Sequence, residues 1–406
     1  MSFRISLSGM NAASADLNIT SNNIANSNTT GFKQSRGEFA DVFPVSAYGL
    51  SRNTIGAGVR LQQVAQQFEQ GTVETTGKAL DLALNGKGFF TLSNGGSYEY
   101  TRAGNFGTDR DGYVVNPSGN RLQVFLPSAS GTGFDTGRMS DLQLSSADAA
   151  PRATSRTTVG ANLPANAAEP STATFDPADP TSYNYTTSMT VYDSLGAAHS
   201  QSMYFVKTAN PNEWQVHTYV DGNSTGAPAT LQYSNVGALV SPATGDVTLP
   251  PYTPPGGAAP MAITLNLSES TQFGESFNVS SITQDGFTTG RLTSIEVSPE
   301  GVVQARYTNG VSTPLGQVVL TNFTNPQGLQ PTGNNAWAET FDAGQPRRGS
   351  AGSSEFGVVQ GGALEASNVD LTEQLVNMLT AQRNFQANAQ MISTQDQITQ
   401  TVINIR

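Results

Sequence analysis

Residues 363–406 read ALEASNVDLTEQLVNMLTAQRNFQANAQMISTQDQITQTVINIR, 44 residues without glycine or proline in a chain that holds 41 Gly and 21 Pro. Leu371, Leu375, Met378, Gln382, Phe385, Ala389 and Ile392 recur in alternate steps of four and three, and the stripe then shifts by one position and goes on as Met391, Gln395, Ile398, Val402 and Ile405. Side chains at that spacing line one side of a helix, so the stretch predicts one long amphipathic helix with a heptad-like seam. At about 1.5 Å per residue it spans roughly 60 Å. A helix of that length needs a partner along it.

The rest of its surface carries little charge. Six residues are ionised (Glu365, Asp370, Glu373, Arg383, Asp396 and Arg406), whereas nineteen are Ser, Thr, Asn or Gln. Neutral amides and hydroxyls form hydrogen bonds without the cost of burying charge, which suits a helix surrounded by other protein. A two-helix hairpin inside one monomer accounts for the same pattern.

The partner lies at the other end of the chain. Phe3, Leu7, Met10, Ser14, Leu17, Ser21 and Ile24 repeat the four-three spacing, with Ser2 available as a cap and only Arg4 and Asp16 charged. The expected fold class is therefore multidomain α+β, with N- and C-terminal helices pairing as a coiled coil around nested, mainly-β domains. Ser- and Asn-rich helices are marginal alone, so both ends are expected to order on assembly.

The 406 residues allow two or three domains. A net charge of −11 without a basic patch argues against nucleic acid. The absence of cysteine excludes disulfides, thiol catalysis and cysteine-ligated metals. Neither a cleaved signal peptide nor a transmembrane run is recognisable, so no membrane insertion is expected, and export would use another route.

After the first helix, Ser21-Asn22-Asn23-Ile24-Ala25-Asn26-Ser27-Asn28-Thr29-Thr30-Gly31-Phe32-Lys33 ends the helix and turns the chain. In the connecting region, 31–71, Phe39, Val42 and Phe43 suggest a short helical turn before Pro44. Leu61, Val64, Ala65 and Phe68 fit a helix or an extended arm equally. Strands then follow at Gly88–Leu92, Tyr113–Val115 and Leu122–Leu126, with Asn94-Gly95 as a hairpin turn. Further strands are read at Tyr185–Tyr192, Ser202–Val206, Leu292–Val297, Val302–Tyr307 and Gln317–Phe323. Trp214, Val216, Thr218 and Val220 alternate along one side of another. Ser241–Pro260, crowded with proline and glycine, reads as an exposed loop. The resulting order is nested: terminal helices 1–30 and 364–406, a first β domain from 72–145 plus 286–360, and a β domain inserted at 146–285.

The order helix, Asn22-Asn23-Ile24-Ala25-Asn26, Asn28-Thr29-x-Gly31-Phe32-Lys33 closely resembles the N-terminal signature of the bacterial flagellar axial rod and hook protein family. Met1-Ser2-Phe3, Leu7–Ala13 and Ser35–Phe43 look most like its hook members. The resemblance resumes at Leu80–Phe90 and Tyr100–Phe106 and ends with Thr380-Ala381-Gln382-Arg383. It covers roughly the first 125 and last 50 residues. It implies a non-enzymatic subunit, without cofactors, that self-assembles into a curved, flexible tube linking rod to filament and transmitting motor torque. The terminal helices would be innermost and the inserted domain outermost. Implied partners are further copies, the rod and hook–filament junction proteins, the hook cap and the flagellar type III export apparatus. The implied location is the extracellular flagellum, reached without a cleaved signal peptide. A distal rod protein is the within-family alternative, and a secreted carbohydrate-binding or hydrolytic β protein the remote one.

The residues expected to carry assembly are Phe3, Leu7, Met10, Leu17 and Ile24 with Leu371, Leu375, Met378, Phe385, Ile392, Ile398 and Val402. Chemistry has little to offer. Histidines are few, His199 and His217, and His217 falls on the strand face opposite Trp214 and Val216, as an exposed residue rather than a ligand or base, since catalysis needs a base with a positioned partner. Asp109, Asp111 and Gly112 fit a β-turn better than a calcium loop, since the ligand ladder is incomplete. Glu99 with Asp109 is a weak glycosidase pair. Phe89, Phe90, Tyr98, Tyr100 and Phe106 read as core.

Overall fold

The computed structural model describes residues 2–43, 56–128, 133–144 and 148–404. Two α-helices bracket the chain, α1 (Ser2–Ala25) and α2 (Leu371–Asn404), and among the described residues everything between them is strand, turn or 3-10 helix. Pro44, Ile405, Arg406 and the Ser2 side chain lie outside the described residues.

The C-terminal helix starts later than its sequence predicts. Ala363–Glu365 is a strand antiparallel to Val73–Thr75. Asp370 sets the helix start, because its Oδ1 accepts the N–H groups of Thr372 at 2.7 Å and Glu373 at 3.1 Å. Those donors have no partner inside a helix, and a capping carboxylate satisfies them. The connecting region is extended as well. Ser35–Asp41 and Val59–Gln66 pair as an antiparallel ribbon with a bulge after Glu38. Phe39 is thus a strand residue rather than part of a helical turn, and it faces Leu61 across the ribbon.

The chain divides into two compact units. The first comprises Met1–Ser146, Ser294–Ala305 and Thr313–Arg406. Its sheet centres on Arg121–Pro127, Phe89–Asn94 and Ser97–Thr101, and Leu320–Asn322 joins at Phe90. Gly95 and Gly96, both at positive φ, make the hairpin turn between two of these strands. Phe90, Leu92, Leu122, Val124 and Leu320 fill one core, and Phe89, Tyr100, Phe323 and Trp337 fill a second.

The second unit comprises Ala147–Thr293 and Arg306–Ser312. It has a sheet of Tyr185–Tyr192, Ala198–Lys207, Glu213–Val220, Ala229–Tyr233 and Leu239–Ser241, plus a four-stranded sheet around Arg156–Asn162. Trp214, Val216, Thr218 and Val220 all point inward along their strand. Each large apolar side chain buried there contributes about 1.5–3 kcal/mol. The proline-rich stretch 241–260 is more than an exposed loop, since it holds the short strand Asp246–Thr248 and buries Leu249 and Ala258.

Candidate functional site

Helices α1 and α2 pack against each other in antiparallel register. Asn23 Nδ2 donates to Gln374 Oε1 at 3.1 Å. Fourteen residues back on α1, Gly9 lies so close to Asn388 that a β-carbon there would come within 2.5 Å of Asn388 Oδ1. The spacing of these two contacts pairs Asp16 with Ala381 midway. The buried residues of α1 are Ser6, Ala13, Thr20 and Asn23, the first three in a row at seven-residue spacing, and those of α2 are Gln374 and Ala381. Met10, Leu17 and Ile24 flank the first row, and Met378, Phe385 and Ile392 the second, all half-buried.

This splits the residues expected to carry assembly. Met10, Leu17, Ile24, Met378, Phe385 and Ile392 flank the intrachain contact. Phe3, Leu7, Leu371, Leu375, Ile398 and Val402 are exposed. In both helices the innermost row sits one position earlier than the sequence reading placed it, on Ser6, Ala13, Thr20, Gln374 and Ala381. The small side chains of Ser6, Ala13, Thr20 and Ala381 let the backbones approach closely, where bulky ones would hold them apart, and Gln374 is admitted by its bond to Asn23. Because α2 has 34 residues and α1 has 24, the last turns of α2 also outrun their partner. Val376, Leu379, Met391 and Ile403 join the exposed apolar set. Monomeric proteins rarely leave so large an apolar surface open.

The polar face of α2 satisfies itself. The hydroxyls of Thr380, Thr394, Thr399 and Thr401 donate to the carbonyls four residues earlier, at 2.8–2.9 Å. Groups bonded to their own backbone can enter a crowded environment without leaving an unsatisfied donor.

The signature turn explains itself through hydrogen bonds. Asn23 grips Ser35 with both ends of its amide, at 2.8 and 2.9 Å. Asn26 Nδ2 donates to Asn22 O, and Asn26 Oδ1 accepts the Thr29 hydroxyl. Gly31 has φ +67°, and a β-carbon there would lie 2.5 Å from Ala103 N, so only glycine fits. Phe32 N donates to Thr29 O at 3.2 Å, which closes the turn.

Lys33 is the signature residue with the largest role. Its Nζ donates to Glu365 Oε1 and to Glu69 O, both at 2.6 Å, and lysine and glutamate side chains are each 0% exposed. Glu365 Oε2 takes Arg102 Nη1 at 3.3 Å, and Glu365 Oε1 also accepts the Gly71 N–H. Arg102 Nη2 reaches Gly86 O at 2.7 Å. One carboxylate thus ties together the signature turn, the connecting arm, the first β domain and the strand that leads into α2. Burial lowers the pKa of both cations, and Glu365 opposes that shift.

No catalytic constellation is formed by the acids and histidines singled out in the sequence. Glu99 is held by the amides of Asn94 and Asn120, and Asp109 Oδ1 accepts the N–H groups of Asp111 and Tyr113 in its own turn. His217 does sit opposite Trp214 and Val216, but it is half-buried under Phe175, with rings stacked at 3.8 Å. Burial lowers its pKa.

His199 is sandwiched, with Nδ1 at 2.5 Å from Asp221 Oδ2 and Nε2 at 3.3 Å from Asp193 Oδ2. Burial pulls its pKa down, but the bonds to Asp221 and Asp193 outweigh that and hold it above the usual value. A raised folded pKa contributes stability that is complete below the unfolded value, about 6.5, and lost as pH rises through the folded one. The melting temperature of the second unit, followed by Trp214 fluorescence in a Trp337→Phe background, should therefore fall as pH is raised from about 6 to 9. His199→Gln should flatten the slope. An unchanged slope in the variant would exclude His199 as its source.

Comparison with known proteins bears on the whole chain. The family model described as "Flagellar basal body protein FlaE D2 domain" matches residues 162–287, and "Flagellar hook protein FlgE/F/G D1 domain" matches 83–169. "Flagella basal body rod protein" matches 3–33, and "Flagellar basal body rod FlgEFG protein C-terminal" matches 360–405. The flagellar hook protein FlgE of Salmonella typhimurium is 38% identical over 414 residues, spanning 100% of both chains. That of Borreliella burgdorferi is 32% identical over 438 residues, covering 98% of each. The crystal structure of Helicobacter pylori flagellar hook protein FlgE2 superposes with a TM-score of 0.54 at 16% identity. It covers 72% of this chain and 100% of that one, a likeness of fold.

Proposed function

The chain belongs to the flagellar hook protein family, and from that premise we infer that its work is structural: copies of it polymerise through their terminal helices into the hook of a bacterial flagellum. The observation that carries this reading is the apolar side of the helix pair. Leu371, Leu375, Val376 and Leu379 are exposed in a single chain although they lie on a helix already paired with another. Neighbouring subunits that cover them would supply the missing burial. In the polymer α1 and α2 pack as a coiled coil and form the inner wall, with the β-rich remainder outside. The curved tube joins rod to filament at its two ends, grows beneath a cap, and carries torque around a bend.

The Lys33–Glu365–Arg102 cluster supports the mechanical side of this reading. A lever passes torque only if it does not swivel on its mount, and a buried, hydrogen-bonded ion cluster has discrete geometry. The polar, self-satisfied surface of α2 lets many copies pack without mutual repulsion. Export proceeds through the flagellum's own type III channel, which suits helices that are marginal outside the assembly.

Electron microscopy of the purified chain, concentrated in a precipitating salt, tests the reading. Curved tubes are the expected result. Straight tubes would identify a rod-type subunit, and the absence of any polymer would contradict assembly altogether.

A further inference from the structure

Asparagine is followed by glycine at three places, Asn85-Gly86, Asn94-Gly95 and Asn309-Gly310. In such a pair the glycine nitrogen can attack the side-chain carbonyl carbon of the asparagine, because glycine has no side chain to shield its own nitrogen. The fold treats the three pairs differently. Gly86 N donates to Gln70 Oε1 at 2.9 Å, and Gln70 Nε2 donates back to Asn85 Oδ1 at 3.3 Å, so one glutamine pins both nucleophile and electrophile. Gly310 N donates to Tyr307 O at 3.0 Å, while the Asn309 amide donates to Thr288 O and accepts the Val311 N–H. At Asn94-Gly95 nothing takes the glycine N–H among the described contacts. Asn94 is the exposed last residue of its strand, and Gly95 and Gly96 form the hairpin tip, with no atom within 4 Å of a β-carbon built on either.

We propose that Asn94 is a self-modification site of the folded chain: the hairpin tip deamidates, while the other two pairs are protected. A bond forms from Gly95 N to Asn94 Cγ, the Cγ–Nδ2 bond breaks, and ammonia leaves with the proton of the Gly95 N–H. Water then opens the cyclic imide. Cleavage between Gly95 N and Cγ gives aspartate, and cleavage between Gly95 N and the Asn94 main-chain carbonyl gives isoaspartate. Water is the only co-reactant. Ring closure takes Asn94 out of its extended conformation. For that, only the closing Asn94–Ser97 pair and the bonds to Ser97 Oγ and Glu99 Oε1, each 2.9 Å, have to open. They lie at the exposed end of a hairpin, where opening costs least. Either product loses the amide that donates to Glu99 and sets a second carboxylate beside it, leaving Glu99 with Asn120 Nδ2 at 2.7 Å. Isoaspartate also lengthens the backbone at the strand end. The conversion runs one way, so the converted fraction records the age of the chain. The inference is independent of the polymer reading.

The test incubates the full folded chain in mildly alkaline buffer and follows the acid forms at positions 85, 94 and 309 by peptide mass spectrometry after digestion in acid. Asn94 should convert at least about tenfold faster than Asn85 and Asn309, which must first break the bonds that hold their glycine nitrogens. In denaturant the three rates should come together, because the protection belongs to the fold. Ammonia released early from the folded chain should fall severalfold in Asn94→Ser, which keeps a small polar residue at the strand end. The proposal is overturned if Asn94 stays intact, or converts no faster than Asn85 or Asn309 in the folded chain. A lead that persists undiminished in denaturant overturns it too, since the flanking sequence and not the hairpin would then set the ranking. Unchanged ammonia release from Asn94→Ser would place the reactive amide elsewhere and sink it equally.

Discussion

Glu365→Ala is expected to destabilise the first unit by about 3–5 kcal/mol, the range for removing one partner of a buried ion pair. The size follows from what is left behind. Lys33 loses its carboxylate and keeps only the carbonyl of Glu69, while Arg102 keeps the carbonyls of Leu84 and Gly86. Two cations then remain buried without a counter-ion, and the Gly71 N–H loses its acceptor. Against a typical domain stability of about 5–15 kcal/mol, that loss takes the junction close to unfolding. Glu365→Gln retains acceptors for Lys33 and Gly71 and loses the charge, so it should fall between. The chain has two tryptophans, Trp337 in the first unit and Trp214 in the second. Denaturant titration in a Trp214→Phe background therefore reports the first unit alone. An unchanged midpoint for Glu365→Ala would mean that the cluster is not a clamp.

Much of the β structure is legible from pattern alone. The strands at Tyr185–Tyr192, Leu292–Val297 and Val302–Tyr307 fall on the residues where alternation and flanking turns put them. Tight turns force period-two segments to start and stop at defined residues. The stretch expected as one strand at 317–323 divides instead, into Ser312–Val318 and Leu320–Asn322. The connecting region is not decidable from spacing, because Leu61, Val64 and Phe68 satisfy a helical period while the chain forms a ribbon.

The helix pair was half legible. Met378, Phe385 and Ile392 flank the contact as their period requires, but apolar size misleads about the row beside them. A close helix–helix approach selects Ser6, Ala13, Thr20, Gln374 and Ala381, and it turns Leu7 and Leu375 away. The role of Lys33 was not legible at all. Its partner Glu365 lies 332 positions along the chain, and no local pattern reports a contact at that distance.

Leu375 separates the two roles of α2. It is 52% exposed in the single chain, so Leu375→Asp should change the stability of the monomer by no more than about 0.5 kcal/mol. In a polymer that covers this residue, the substitution forfeits the burial of a leucine and places a carboxylate in an apolar contact. The combined loss exceeds about 3 kcal/mol, more than a hundredfold in critical concentration. Phe385→Asp also abolishes assembly, but less cleanly, because Phe385 already packs within the chain and the helix pair opens first. In neither variant should the melting of the second unit change. The decisive measurement is sedimentation of Leu375→Asp beside the intact chain across a hundredfold range of concentration, with melting curves for both. A variant that melts like the intact chain yet stays monomeric where the latter sediments as tubes is the predicted result. Tubes from Leu375→Asp at the critical concentration of the intact chain would contradict assembly through the terminal helices.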